Sequence, residues 1–345
     1  MAGVLIADLP AGRLVDRIGE RSAMIWGTIA GLIGVSLVAA SINLILMGVG
    51  VFLLGVGVAI FALARHAFFA EHIPVHFRAR ALSLLGGTFR AGAFIGPLVG
   101  SWLIAAFGIN SVYWFSALTC LAAGVVLLNT KPERIKSTPL SQKGGVWKTA
   151  KENRVQLLTL GVGAGILGAI RTTRQIGLPL WALMIALSPE EVSLYIGLAG
   201  VLDFALFYTS GQIMDRWGRF WSAVPPLIGL AALHMLMFTV HDGTGFLLMA
   251  AAMALANGLG SGIILTIGAD LAPANARNEF LASYRLITDI GVASAPPILS
   301  AIALTFGLAA AMASFGVVGL AGAGLMWRYI PKFIPAPIRA KAEPR

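Results

Sequence analysis

The sequence predicts an all-α integral membrane protein on three observations: its composition, the length of its apolar runs, and the charge of the segments between them. Of 345 residues, 58% are hydrophobic and 12% charged, whereas a soluble protein carries about 25% charged residues. So few charges cannot coat a water-facing surface. Glycine supplies 41 residues, most of them inside apolar runs, where small residues let helices in lipid approach closely. Disordered and collagen-like chains are excluded. Each crossing takes about 20 apolar residues, so with connections the chain has room for about eleven.

The apolar runs fall at 22–41, 44–70, 79–107, 110–129, 155–186, 190–214, 220–240, 244–270, 278–306 and 308–330. These are ten complete spans. Their faces are apolar nearly all round, so length and Gly, Pro and charge punctuation set the ends better than any amphipathic period. Residues 1–11 are apolar apart from Asp8 and cover about 17 Å of a ~30 Å hydrocarbon core. They are read as the end of another span whose beginning is missing from this sequence. A signal peptide fits poorly, because no basic leader is present and a charged segment follows Pro10-Ala11-Gly12 directly.

The connections alternate in charge. One set holds Arg13, Arg17 and Arg21; Arg65, Arg78 and Arg80; seven Lys/Arg from Lys131 to Arg154; Arg216 and Arg219; Arg277; and five in the tail from Arg328. That is 21 of the 25 basic residues, while the other set, near 41–43, 108–110, 188–191, 241–243 and 307, holds none. Basic loops stay in the cytoplasm, so the first set and the C-terminus are expected on the cytoplasmic side of the plasma or inner membrane. This also accounts for the net charge of +10 without invoking nucleic acid.

The longest polar interval, 130–153, divides residues 1–129 from 154–330, with 331–345 as a tail. The two parts repeat. Gly12-Arg13-Leu14-Val15-Asp16-Arg17-Ile18-Gly19 recurs as Gly211-Gln212-Ile213-Met214-Asp215-Arg216-Trp217-Gly218, 199 residues later. The same offset relates Arg78 to Arg277 and Pro97 to Pro296. Agreement at separate places marks an internal duplication, a transporter architecture.

The repeated G-x-L-x-D-R-x-G pattern between two spans resembles the signature of the major facilitator superfamily of secondary transporters. There it lies between helices 2 and 3, with a weaker copy between 8 and 9. On this resemblance residues 1–11 end helix 2, the ten spans are helices 3 to 12, and helix 1 is absent. The implied fold is two helical bundles related by a pseudo-twofold axis along the membrane normal. The stretch Gly92-x-x-x-Gly96-Pro97-x-x-Gly100-Ser101 resembles the helix 5 motif of proton-coupled antiporters, especially drug exporters, except that Ser101 replaces its last Gly. In helix 4, Gly55-x-Gly57 fits those antiporters, but Val51 and Leu54 stand where they carry Arg and Gln. The implied activity is export of a small molecule by alternating access, coupled to protons. A metabolite importer or uniporter of the same fold, and a chain that has kept the fold without transport, remain alternatives.

In the gate motif of Gly12, Leu14, Asp16, Arg17 and Gly19, the two glycines permit a tight turn, Asp16 can accept from amides at a helix N-terminus, and Arg17 can reach phosphate or a carboxylate. Charges that pair in one conformation and part in another would form a latch. The competing reading is a solvated turn with topogenic arginines. Gly211, Asp215, Arg216, Gly218 and Arg219 form the weaker copy.

Charges inside a bilayer cost about 2.5 to 3.5 kcal/mol on insertion scales and so face a cavity or a partner. Arg171, Arg174 and Gln175 share an i, i+3, i+4 face ahead of a kink expected at Pro179. They suit an anionic substrate group or an ion pair with Asp203 or Asp289. Arg90 is deep, and at offset 199 it corresponds to Asp289. Arg285 and Asp289, four apart, can neutralise one another. Asp203 has no basic residue within four positions and is the first choice as proton carrier. Asn257 and Ser261 share a face suited to joining helices.

No cofactor or metal is expected. Cys120 is the single cysteine, and Pro74 between His72 and His76 argues against a metal-binding face. Trp26, Trp102, Trp114, Trp147, Trp221 and Trp327 read as interfacial anchors. No nucleophile elbow or phosphate-cradling loop appears, so an enzyme is not supported. The expected partners are a small-molecule substrate, protons and the lipid bilayer, with the protein a monomer.

Overall fold

The computed structural model describes residues 2–41, 43–72, 75–130, 145–273 and 276–334. Among them there is helix and no strand. In chain order the helices are α1 (Ala2–Ile18), α2 (Glu20–Ala39), α3 (Leu44–His72), α4 (Val75–Phe107), α5 (Asn110–Asn129), α6 (Gly145–Glu152), α7 (Arg154–Gln156), α8 (Val162–Met184), α9 (Pro189–Ala205), α10 (Phe207–Trp217), α11 (Arg219–Met235), α12 (Gly243–Leu259), α13 (Ile263–Leu271), α14 (Arg277–Phe306) and α15 (Leu308–Phe333). All ten expected spans are present as helix, and nine of the helical stretches among the described residues are long and apolar enough to cross a membrane. Helix dominates because in lipid each backbone N–H and C=O needs a partner within its own segment.

The duplication extends to backbone conformation. Gly19 (φ 80°) and Gly218 (φ 90°) end the two motif copies, and Gly108 (φ 79°) and Gly307 (φ 86°) join the helices after them. Both pairs lie 199 residues apart. An L-residue with a Cβ resists this left-handed region, so these four turns need glycine. Helix ends follow the same offset: α2 and α11 begin at Glu20 and Arg219, and α4 and α14 end at Phe107 and Phe306.

Three expectations about the elements need correction. The motif copies are not loops: α1 runs to Ile18 and α10 to Trp217, so only the last glycine of each copy turns the chain. The span at 190–214 is not continuous but interrupted at Leu206, between α9 and α10. The span at 244–270 breaks at Gly260–Gly262, where Gly262 takes φ 75°. Near 155 the helix also opens into a π turn at Leu157–Gly161. The helix α8 continues through Pro179 to Met184, although proline there removes the hydrogen bond to the Gln175 carbonyl.

The chain divides into two compact units, Met1–Gly92 with Val99–Leu140, and Ala93–Leu98 with Ser141–Arg345. In the first, α2 and α3 pack backbone to backbone. A Cβ at Gly57 would lie 2.5 Å from the Gly27 carbonyl oxygen and one at Gly34 would lie 2.5 Å from the Leu54 nitrogen. Gly55, two residues away, instead faces Gly3 and Val4 of α1, so the Gly55-x-Gly57 pair serves two helix contacts on different sides of α3. Arg21 of α2 closes the C-terminal end of α5, its Nε donating to the Leu127 carbonyl at 3.0 Å and its Nη2 to the Leu128 carbonyl at 3.0 Å. A cation suits that end of a helix dipole.

The second unit has one continuous apolar core through α8, α11, α12, α14 and α15, including Leu167, Ile170, Leu227, Phe246, Met253 and Phe280. There α8 packs on α14 and α15, α11 on α15, and α9 on α12. Trp181 is buried and its Nε1 donates to the Val240 carbonyl at 3.0 Å. The six tryptophans expected as interfacial anchors are all exposed.

Candidate functional site

Three helices of the second unit meet at a polar centre. The Arg174 Nη2 of α8 donates to the Asp203 Oδ2 of α9 at 2.9 Å, and the side chains are only 15% and 17% exposed. The Asn257 Nδ2 of α12 donates to the same Oδ2 at 2.6 Å. Asp203 is thus held by one charged and one neutral donor from different helices. Such a charge-assisted bond is stronger than a neutral one, and the low dielectric of a helix bundle strengthens it further.

The helical period explains half of this geometry. Arg171 and Arg174 fall on one face, as their spacing requires, and Thr172 and Thr173 turn inward and donate to the carbonyls of Gly168 and Ala169. Gln175 is exposed. The other half lies beyond a local window: no cation stands near Asp203 in the chain, and Arg174 reaches it across 29 residues. The ion pair considered for the α8 arginines is therefore formed by Arg174 with Asp203. Arg171 donates through Nη2 to the Gly260 carbonyl at 2.7 Å, at the break between α12 and α13. Of the two residues suited to joining helices, Asn257 does so through Asp203, whereas the Ser261 hydroxyl is buried without a hydrogen-bond partner among the described residues and only its backbone carbonyl accepts, from the Ser210 hydroxyl at 2.9 Å.

On α14, Arg285 Nε and Asp289 Oδ2 are 3.5 Å apart with side chains 73% and 50% exposed, which is the mutual neutralisation expected of an i, i+4 pair. Arg90, Gly12 and Asp16 lie outside the described residues as far as their side chains are concerned, and so do His72 and His76. Of the first motif copy, Leu14 is half-buried beside the buried Val15, and Arg17 is exposed.

The second copy closes on a residue that the sequence reading missed. Arg219 Nε donates to Asp270 Oδ2 of α13 at 2.8 Å, its Nη1 donates to the Met214 carbonyl at 2.9 Å, and Asp215 stands 3.7 Å away. Asp215 is 83% exposed while Asp270 is 29% exposed, and screening by water leaves the first pair worth little. The signal was an acid at the charged end of the apolar run 244–270. Asp270→Asn is therefore expected to lower the thermal midpoint and the transport rate more than Asp215→Asn. Equal melting of the two purified variants would remove this assignment. Among the described residues nothing lies within 4 Å of a Cβ built at Gly211, and Arg216 is exposed.

The glycines of the helix 5 motif have different surroundings. Among the described residues nothing lies within 4 Å of a Cβ built at Gly92 or Gly96, whereas Gly100 is buried. Within the second unit, the close approach to residues 93–98 is made by glycines of α9: a Cβ at Gly197 would lie 2.7 Å from Leu98, and one at Gly200 would lie 2.8 Å from Phe94. Ser193 donates to the Pro97 carbonyl at 2.7 Å. Sequence reasoning also passed over His234, which is fully buried with its Nδ1 2.7 Å from the Leu230 carbonyl oxygen. An apolar cavity of about 290 Å³ opens between α8, α14 and α15, beside Ile166, Gly291 and Phe315. Among the described residues no group of His, Cys, Asp or Glu could hold a metal.

Comparison with known proteins agrees with this architecture. The chain is 26% identical over 287 residues to multidrug resistance protein MdtH of Yersinia pestis (strain Pestoides F), covering 81% of this chain and 70% of the relative. The same values hold for the MdtH of Yersinia pseudotuberculosis. Its fold is similar to that of the peptide transporter POT (TM-score 0.77, 14% identity, 96% of this chain and 84% of that one). It is similar also to a D-xylose-proton symporter (TM-score 0.70, 18% identity, 96% and 85%). The sequence profile of the Major Facilitator Superfamily matches residues 1–277, and with the repeated motif, the matched helix ends and the intramembrane polar centre the chain belongs to that superfamily of multi-pass membrane transporters.

Proposed function

We propose that this chain exports a small molecule across the cell membrane by alternating access, driven by protons, with residues 1–129 and 154–330 as its two helical bundles. The observation that carries the reading is the Arg174–Asp203–Asn257 centre, an ion pair inside membrane-spanning helices. Such a pair is costly to keep in lipid and marks a substrate or proton path. The relatives named multidrug resistance proteins support the outward direction. A proton arriving at Asp203 cancels its charge, so Arg174 loses its counter-ion and becomes able to turn toward another acceptor. Loss of that proton on the other side restores the pair. Coupling then consists of Arg174 alternating between Asp203 and a second acceptor as the site faces opposite sides.

The basic connections, 21 of 25 Lys/Arg, put the linker and the C-terminus in the cytoplasm under the positive-inside rule. In a Cys120→Ser background, Ser137→Cys is expected to stay unlabelled by an impermeant maleimide in intact cells and to react after permeabilisation. Labelling of intact cells would invert the topology.

The functional test is reconstitution in proteoliposomes with ethidium as probe. An imposed pH gradient should move ethidium against its own gradient, and a protonophore should stop it. Movement that ignores the protonophore overturns the coupling, and movement only in the opposite sense favours an importer. No movement in either sense overturns the reading as a transporter.

A further inference from the structure

The two helix breaks of the second unit touch each other. A Cβ at Gly258, just before the break in α12, would lie 2.8 Å from the Cβ of Leu206, the residue between α9 and α10, and 3.1 Å from the Asp203 carbonyl oxygen. At Gly262 the positive φ interrupts the i to i+4 ladder and leaves carbonyls at the C-terminal end of α12 under-satisfied, that of Gly260 keeping a long backbone bond from the Ile263 N–H at 3.4 Å. Side chains from two other helices take them up. The Ser210 hydroxyl of α10 stands 2.8 Å from the Leu259 carbonyl oxygen and 2.9 Å from that of Ser261 and shares its one proton between them. Arg171 of α8 donates to the carbonyl between them, Gly260, at 2.7 Å, bringing a cation to the negative end of the α12 dipole.

Neither break belongs to the shared architecture. At offset 199, the interruption at Leu206 corresponds to Ala7 inside the unbroken α1, and Gly260–Gly262 correspond to 61–63 inside the unbroken α3. The polar residues around the breaks are likewise confined to the second repeat: Asp203, Ser210, Asn257 and Ser261 correspond to Val4, Ala11, Val58 and Ala62. The breaks and their fastening occur together, beside the Arg174–Asp203–Asn257 centre, with Arg171 one turn from Arg174 and Asn257 one turn before the broken end.

We infer that the breaks at Leu206 and Gly260–Gly262 form one joint about which α10 and α13 turn as a single segment, and that Arg171 is a positioning residue that fastens it. Arg219 ties the far ends of the same two pieces, bonding the Met214 carbonyl of α10 and Asp270 of α13. The segment is thus bounded by a fastened joint at one end and an ion pair at the other. Because Asn257 sits directly before the joint, the state of the joint decides whether its amide stays on Asp203. The inference rests on the alternating-access reading, but its test reads distances and carboxylate reactivity without transport, so either can fail alone.

The full chain, with Cys120→Ser, carries spin-label pairs at exposed positions in nanodiscs. Tyr208→Cys with Leu265→Cys reports within the segment, and Leu248→Cys with Leu265→Cys reports across the joint. Adding Arg171→Gln should move or split the cross-joint distance, by on the order of 5 Å for a one-turn shift, and leave the distance within the segment unchanged. Arg171→Lys, which keeps a cationic donor, should restore the wild-type distribution. Labelling of Asp203 by dicyclohexylcarbodiimide, read by mass spectrometry, should rise several-fold with Arg171→Gln and return with Arg171→Lys. Should Arg171→Gln fail to accumulate, Ser210→Ala supplies the same comparison. A cross-joint distance and Asp203 labelling that ignore both substitutions overturn the proposal, and so does a within-segment distance that changes as much as the cross-joint one.

Discussion

Asp203→Asn and Arg174→Gln are each expected to abolish proton-driven ethidium export and to destabilise the protein, whereas the double variant recovers stability without recovering export. Each single change leaves one side of a largely buried pair without its partner. Breaking such a pair from one side costs about 3 kcal/mol, while replacing both charges is often neutral. In Asp203→Asn the side-chain oxygen still accepts from Asn257, but Arg174 keeps its charge and loses its carboxylate. In Arg174→Gln the carboxylate keeps only the amide of Asn257. With both changed, two neutral amides can bond across α8 and α9, so the helices hold, but no charge remains to be exchanged with a proton. Thermal unfolding of the purified single and double variants checks the first half, and proteoliposome export checks the second. Wild-type melting in both single variants would show that the pair does not hold α8 to α9. Wild-type export in the double variant would remove it from the coupling route.

Gly57→Ala should be a strongly damaging one-methyl change in the first unit. The added Cβ would lie 2.5 Å from the Gly27 carbonyl oxygen, 2.6 Å from the Gly31 nitrogen and 3.0 Å from the Gly31 Cα. All three are backbone atoms, and a backbone cannot rotate aside as a side chain can. The helices α2 and α3 must therefore separate along a face where Gly34 and Gly50 also meet backbone, forfeiting the close packing that holds helices together when lipid offers no hydrophobic drive. Overpacking of this kind costs about 3 kcal/mol. Gly48→Ala is the control, because among the described residues nothing lies within 4 Å of its added Cβ and alanine favours helix over glycine by about 1 kcal/mol. Gly57→Ala should unfold at a clearly lower temperature than wild type, and Gly48→Ala at the same temperature or slightly higher. A Gly57→Ala protein that melts with wild type would mean that α2 and α3 are not in backbone contact.

The functional centre shows how far one-dimensional reasoning reaches. The face shared by Arg171 and Arg174 and the i, i+4 neutralisation of Arg285 by Asp289 are properties of a single helix, so spacing predicts them. The same local window shows no partner for Asp203, because its partners stand 29 and 54 residues away on other helices, and it left the choice between Asp203 and Asp289 open for the α8 arginines. Asp270 escaped notice in the same way, lying 51 residues from Arg219. The break at Gly262 left no local mark either. The run 244–270 contains several glycines, and only the carbonyl acceptors met by Arg171 and Ser210 distinguish the one that turns.

The sequence by itself determined that this is a membrane-spanning helical protein, where its spans lie, that its two parts are duplicates, and that glycine ends each motif copy. These follow from constraints that act along the chain: a bilayer rejects unpaired backbone groups, so apolar runs of sufficient length become helices, and a left-handed turn admits glycine where it resists a Cβ. Only the tertiary structure decided which charge meets which, which glycines touch backbone, and where two spans break. Spans that are apolar on nearly every face carry little information about their rotation or their neighbours. A single polar side chain acquires its meaning there from whatever the packing brings opposite it: Arg174 finds a carboxylate, and Arg171, one turn away, finds the open end of a helix.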